Sequence, residues 1–166
     1  SNFASLDRWI ATLEAQLKTP IQFASPSAEL HVYASALIAV LYAQPAHPLL
    51  ESCVAHVSRL LNSKADQNQR MKAATILLAY CSLTCEFDRG RRLVAAMRLL
   101  VQSPDVADII RYSWFEWLNY LHYLSGNYEE ALAALDATDN LGAAFATPYL
   151  RASSMTCRAH IASACD

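Results

Sequence analysis

The sequence predicts an all-α fold, a solenoid of about four antiparallel helix pairs, and three observations carry that expectation. Apolar residues recur with helical spacing in every segment between the proline, glycine and asparagine breaks. Glycine occurs only three times in 166 residues, at Gly90, Gly126 and Gly142, too seldom for a strand-and-turn architecture that needs positive φ at many turns. The tight breaks also keep a constant interval. Gln44, Cys85 and Gly126 stand 41 residues apart, as in a repeat protein whose units cannot bury their apolar faces alone.

The elements follow in order. Leu6, Trp9, Ile10, Leu13 and Leu17 form the stripe of an amphipathic helix, with Ser5 as its expected N-cap. A second helix starts after Pro26, with Ser27 and Glu29 in its first turn, and runs to about Ala43. Pro45 and Pro48 separate it from a helix over Leu49 to Leu61, closed by Asn62 and Ser63. Asp66 caps a helix to about Cys85, and after a break of two or three residues another runs from Asp88 to Val101. Pro104 and Asp105 mark the next boundary, before a helix from Val106 to Leu124. Tyr128 to Ala137 makes its partner, with Asp139, Asn140 and Gly142 read as a break before a last helix from about Pro148. Taken by sequence order, the pairs are 5–43, 49–85, 88–124 and 128–166 of one domain; the tight turns instead centre repeat units near 44, 85 and 126.

In the 41-residue register, Ala36, Leu77 and Leu118 coincide, as do Ala39, Tyr80 and Leu121, and Cys53, Val94 and Leu135. Small or apolar residues thus recur where one helix presses on another. The last tight turn is the most specific: Leu118, then Gly126-Asn127-Tyr128 and Ala131, resembles the Gly-Asp-Tyr turn of tetratricopeptide repeats, with Leu eight residues before the glycine and Ala three after the tyrosine. Gly126 would permit a left-handed exit from the first helix, Tyr128 would wedge between helices and Ala131 would allow close backbone approach. Cys85-Glu86-Phe87 stands at the same place in the middle unit, with Gly90 for Ala131; the first unit, at Gln44-Pro45-Ala46 and Leu49, departs from the pattern. The resemblance implies a right-handed solenoid. The long period and the stretch Phe87-Asp88-Arg89-Gly90-Arg91-Arg92-Leu93-Val94 also resemble the repeat arm of bacterial transcriptional regulators of the maltose-regulator type.

Composition limits what such a chain does. Hydrophobic residues make up 54% of it, enough for a continuous core, while charged residues are 17% and the formal net charge is −2, which leaves no basic surface for a phosphate backbone. The longest apolar stretch, Leu30 to Ala43, contains His31, Tyr33 and Ser35 and falls short of the roughly 18 residues of a membrane span. Five cysteines, an odd number without a Cys-x-x-Cys pair, point to neither a disulfide framework nor a zinc site, and so to a soluble protein in a reducing, cytoplasmic setting. The chain does not begin with Met, and the periodic Leu150, Met155 and Ile161 still run as it ends, so a fragment of a larger protein is expected.

Catalytic chemistry finds no support. Cys81 and Cys85 lie one helical turn apart with His122 in register with Cys81, but no fourth ligand is evident and buried cysteine acting as a small hydrophobe explains the spacing. The five histidines are scattered over different helices, without a nucleophile and an orienting group beside any of them. Glu129 and Glu130 read as acids favoured by a helix N-terminus, and Arg89, Arg91, Arg92 and Arg98 as a solvated face or an acidic-partner contact. No catalytic residue, metal or cofactor is expected.

The aromatic run Tyr112 to Tyr123 is the candidate site. In a tetratricopeptide arrangement the first helix of each pair lines the concave face. Ser113, Glu116, Trp117, Tyr120 and Tyr123 would then face the groove, with Phe115, Leu118 and Leu121 inward. One unit back the same register gives Lys72, Thr75, Ala79 and Ser82, and before them His31, Ala34, Ile38 and Leu41. Tyrosine and tryptophan combine apolar area with a polar handle and are common binding anchors. The expectation is a non-catalytic module, the sensing or interaction arm of a bacterial transcriptional regulator, holding a protein, peptide or small effector in its groove and touching other domains of the full-length protein, without direct nucleic-acid or membrane contact. The alternatives are a scaffold or co-chaperone tetratricopeptide domain and, less well supported, an α-helical enzyme.

Overall fold

The computed structural model describes residues 4–17, 21–143 and 148–165, with side chains over 7–17, 21–143 and 152–164. Among the described residues there are eight helices and no strand: α1 (Ala4–Leu17), α2 (Pro26–Ala43), α3 (Leu49–Leu60), α4 (Gln67–Leu83), α5 (Phe87–Val101), α6 (Asp108–Leu124), α7 (Tyr128–Gly142) and α8 (Pro148–Cys165). The all-α class follows directly. No helix among the described residues is long and apolar enough to cross a membrane.

Local sequence accounts for most boundaries. Asp66 caps α4 as expected, its carboxylate accepting from Gln69 N at 3.0 Å. At α2 the cap is Ser25 rather than a residue after Pro26: its hydroxyl accepts from Ala28 N at 3.2 Å, and Pro26, lacking an N–H, fits the first helical position. Ser5 lies inside α1 rather than at its cap, and its side chain is outside the described residues, as are those of Leu6, Leu150 and Cys165. The expected break at Asp139-Asn140 is absent, and α7 continues to Gly142. Its late polar residues are satisfied in helical form: Thr138 donates to Ala134 O at 2.8 Å, and Arg158 of α8 donates to Asp136 and Asp139 at 2.7 and 2.8 Å.

Packing follows the tight links: α2 lies on α3, α4 on α5 and α6 on α7. Helices α5 and α6, which the sequence-order span 88–124 groups together, touch little. The first helices also pack on one another, α2 on α4 and α4 on α6, so they form one layer, while α3, α5 and α7 meet each other little, as where Arg89 of α5 donates to Ser58 Oγ of α3 at 3.3 Å. One core runs from Ile10 of α1 through Leu37, Val57, Leu78 and Met97 to Trp114 and Leu121 of α6. A second, smaller cluster of Ala131, Leu135 and Ile161, with Tyr123, Tyr128 and Cys157 against it, docks α8.

Hydrogen bonds repeat at the 41-residue interval as well. Thr84 and Ser125 each donate from the backbone N–H and the side chain to the carbonyls of Tyr80 and Leu121, and Glu86 N and Asn127 N reach back to Cys81 O and His122 O at 2.9 Å. Between them Cys85 takes φ 59° and Gly126 φ 77°, the left-handed residue that lets the chain reverse. Successive units are tied alike: Asp66 N donates to Ser27 Oγ at 2.9 Å, and Ala107 N to Asn68 Oδ1 at 2.8 Å. Arg70 and Arg111, also 41 apart, donate to Leu61 O and Val106 O in the preceding links, satisfying backbone that would otherwise lack partners. The turn after α2, with Pro45 and Pro48, follows neither pattern.

A polar cluster pins α3, α4 and α5 together. Tyr80 donates its hydroxyl to Glu86 Oε1 at 2.6 Å with Glu51 Oε1 at 3.1 Å, and Arg89 pairs with Glu86 and sits 5.7 Å over the Tyr80 ring. The Tyr80 hydrogen bond, then Arg89, holds the Glu86 carboxyl below the ordinary carboxylate range.

Two outcomes are expected. A non-glycine residue in the left-handed region carries a backbone cost of roughly 1–2 kcal/mol, so Cys85→Gly should stabilise the chain by about 0.5–1 kcal/mol in urea unfolding. Gly126→Ala should cost about 1 kcal/mol through backbone conformation alone, since nothing lies within 4 Å of a Cβ built there. The second concerns acid. Glu86 titrates lower folded than in its ordinary state near 4.5, so its contribution is full above that pH and is lost as pH falls through the lower folded value. Tyr80→Phe should flatten this acid limb and cost about 1 kcal/mol at neutral pH; an unchanged limb would remove Tyr80 as its cause.

Candidate functional site

The layer of α2, α4 and α6 leaves one stripe of each helix uncovered, and the stripes correspond in register. Toward their N-terminal ends stand His31, Lys72 and Ser113; next come Ser35, Ile76 and Trp117; toward the C-terminal ends come Tyr42, Leu83 and Leu124. The last three are large apolar side chains with 57%, 48% and 46% of their surface exposed, each 41 residues from the next. Ile109, half exposed, continues the α6 stripe, whereas Tyr120 stands 41 residues after the buried Ala79 and lines the cavities against α8.

Only part of the expected face coincides with this stripe. Lys72 and Ser113 line a groove of about 320 Å³ between α4 and α6, floored by Thr75, Ile76, Ile109 and Ile110. Trp117 is half-buried against the main core, its ring 5.5 Å from that of Tyr120, itself 40% exposed. Glu116, Tyr120 and Tyr123 lie toward α7 and α8, Tyr120 lining two cavities there. Glu116 accepts from Tyr112 Oη at 3.3 Å and lines a cavity among α6, α7 and α8, and Tyr123 packs on Tyr128 in the small cluster. Desolvation raises the Glu116 carboxyl above its usual range, with the Tyr112 hydrogen bond opposing.

The register carried one unit back needs correction. Thr75, Ala79 and Ser82 are buried, as are Ala34 and Leu41, because this line of each helix meets a neighbouring helix. Beyond α6 the same line, with Glu116 and Tyr120, borders cavities against α8, and in α4 Thr75 edges the α4/α6 groove. Tyr42, Leu83 and Leu124 were missed as a set, although their 41-residue spacing was readable; a mean helical period does not decide which of two adjacent lines the next helix covers.

Of the turn residues, Gly126 is left-handed, Tyr128 packs against Tyr123, and Ala131 is fully buried in the small cluster. Gly90, in place of Ala131 one unit back, presses its backbone on Leu121, whose Cδ1 would lie 2.6 Å from an added Cβ. Cys81 is buried with its thiol pushed up to about 11 by desolvation, Cys85 is exposed on the turn, and burial lowers the pKa of His122. No group of three or more metal-ligating side chains forms among the described residues. Of the arginine cluster, Arg89 and Arg91 pair with Glu86 and Asp88, while Arg92 and Arg98 are exposed.

No protein-family model matches the chain, and no curated protein or solved structure matches it.

The placements separate surface rings from packed ones. Tyr120→Ala should cost at most about 1 kcal/mol, whereas Tyr123→Ala should cost about 2 kcal/mol by hollowing the small cluster. Ala131→Leu should cost about 1–3 kcal/mol by overpacking the α7 contact. Thermal unfolding of the three variants checks this order; equal losses at Tyr120 and Tyr123 would make both rings core.

Proposed function

We propose that the chain is a non-catalytic helical-repeat module that binds a partner peptide or protein on the exposed face of α2, α4 and α6. The observation that carries it is the apolar row Tyr42, Leu83 and Leu124, exposed at the same position of three successive units. One large exposed apolar residue is ordinary on a protein surface; three in register form a line that an extended or helical segment follows. The neighbouring groove beside Ile76 and Ile109 gives an anchor side chain room, and Lys72 at its rim can meet an acidic group on the ligand.

A right-handed, tetratricopeptide-like superhelix with this face concave is part of the proposal. It is supported by the packing of the first helices on one another, α2 on α4 and α4 on α6, closer than any between α3, α5 and α7. The arm of a cytoplasmic bacterial transcriptional regulator is the context in which we place it, on the resemblance of the Phe87-to-Val94 stretch and the long period.

Peptides selected by phage display against the purified chain test the reading. The triple variant Tyr42→Ser, Leu83→Ser, Leu124→Ser should keep its helical circular dichroism and lose at least about tenfold in affinity, since anchor residues each contribute on the order of 1–2 kcal/mol. Selected peptides that bind the triple variant as well as the parent would sink the assignment.

A further inference from the structure

The 41-residue register shows one seam that differs from the others. In α2 the line Leu30, Ala34 and Leu37 is buried, and in α4 the corresponding Met71, Thr75 and Leu78 are buried too. In α6 the same three positions are Tyr112, Glu116 and Asn119, and they face a cavity bordered by α7 and α8 instead of a dry contact. Apolar residues at these positions would close the seam by the same chemistry that closes the other two, so the polar set is not needed for stacking.

Ser153 and Ser154 of α8 and Tyr120 of α6 bring hydroxyls to the cavity, yet one buried acceptor on its wall is left without a donor. Asn119 is 2% exposed, and its Oδ1 is buried with no hydrogen-bond partner among the described residues. Thr138 has its hydroxyl proton committed to Ala134 O, so toward the cavity it offers only lone pairs. Glu116 brings a carboxylate. Arg158, the one cation lining the adjoining chamber among the described residues, is already held by two carboxylates, Asp136 and Asp139. The lining side chains among the described residues therefore bring a carboxylate and no uncommitted cation to an unpartnered buried carbonyl.

We propose that this α6/α8 seam binds a small organic cation, a primary ammonium on a short apolar tail, with Glu116 and Asn119 as the anchors of the ammonium. The dimensions agree. The cavity beside Asn119 admits about 10 Å³, room for one water-sized group, and shares Tyr112, Thr138 and Ser154 with a neighbouring chamber of about 310 Å³ where Tyr112, Gly142 and Met155 can cover an alkyl chain. Desolvation around Glu116 strengthens its pairing with a cation that displaces the water. The site does not rest on the peptide-binding face and is tested without any partner.

The experiment is calorimetric titration of the full chain with n-pentylammonium chloride, 1-pentanol and sodium pentanoate at matched ionic strength. The ammonium should bind saturably at one per chain, and the alcohol and the carboxylate should not. Glu116→Gln should weaken the ammonium by about tenfold or more, the scale of a charge-assisted contact. Asn119→Leu, which installs the residue found at the two equivalent positions, should raise the melting temperature of the free chain and abolish binding; it carries the test if Glu116→Gln fails to fold by circular dichroism. The proposal is overturned if the ammonium shows no saturable binding, so that the seam holds water only. Equal binding of the alcohol would make it an apolar cavity, and unchanged ammonium binding in the variants would place the contact elsewhere; either result also overturns it.

Discussion

The left-handed residue that ends α4 and α6 is the constraint on which the rest depends. A helix that stops at Cys85 or Gly126 frees carbonyls that Glu86 N and Asn127 N then claim, and this bonding reverses the chain within three residues. The next helix must therefore lie back along the first. The first helix of each hairpin buries apolar residues on the first helix of the next, α2 on α4 and α4 on α6. Stacking, the continuous core and the uncovered stripe of the first helices all follow from where those two turns fall.

Much of this was legible in the residues because helix formation and turn chemistry are local. Proline and aspartate marked the start of α2 and α4, glycine marked the turn after α6, and the 41-residue interval tied them together. What escaped depended on neighbours distant in sequence. Cys85 carries a Cβ that argues against a left-handed backbone, and only its place opposite Gly126 in the repeat points to it. Asp139 and Asn140 look like helix breakers until Arg158, some twenty residues on, supplies the partner that holds Asp139 in α7. The candidate face was displaced by one line for a related reason: the lines of Glu116 and Trp117 are adjacent on the helix, and the position of the next helix decides which of them is covered.

The two core clusters divide the chain unequally. Helices α1 to α6 share one apolar interior, whereas α8 is docked by three buried residues, a few partly buried neighbours and the Arg158 ion pairs, with a cavity where the earlier seams are filled. Local opening costs least where least apolar surface is covered, so the end helices, α1 with Ile10 and α8 with Ile161 as the buried apolar residue among those described, separate from the stack before the helices between them. A polar seam beside a lightly held end helix also gives any ligand in that seam leverage over the docking of α8, since what binds only the docked form stabilises it by mass action.

The ties between successive units are interchangeable in a way their packing is not. Ser27 accepts from the backbone of Asp66 as Asn68 accepts from that of Ala107, so a chain shortened by one whole unit, with Asp66 joined to Asp108, would keep the capping aspartate and its Ser27 acceptor. The apolar surfaces would not match. Helix α6 presents Trp114 where α4 presents Ala73, both buried, and α2 offers Ala34 where α4 offers Thr75. An indole would arrive where a methyl group had sat, at a cost in overpacking that the conserved polar joint cannot offset. The units share one connector, but side-chain volume fixes their order along the stack.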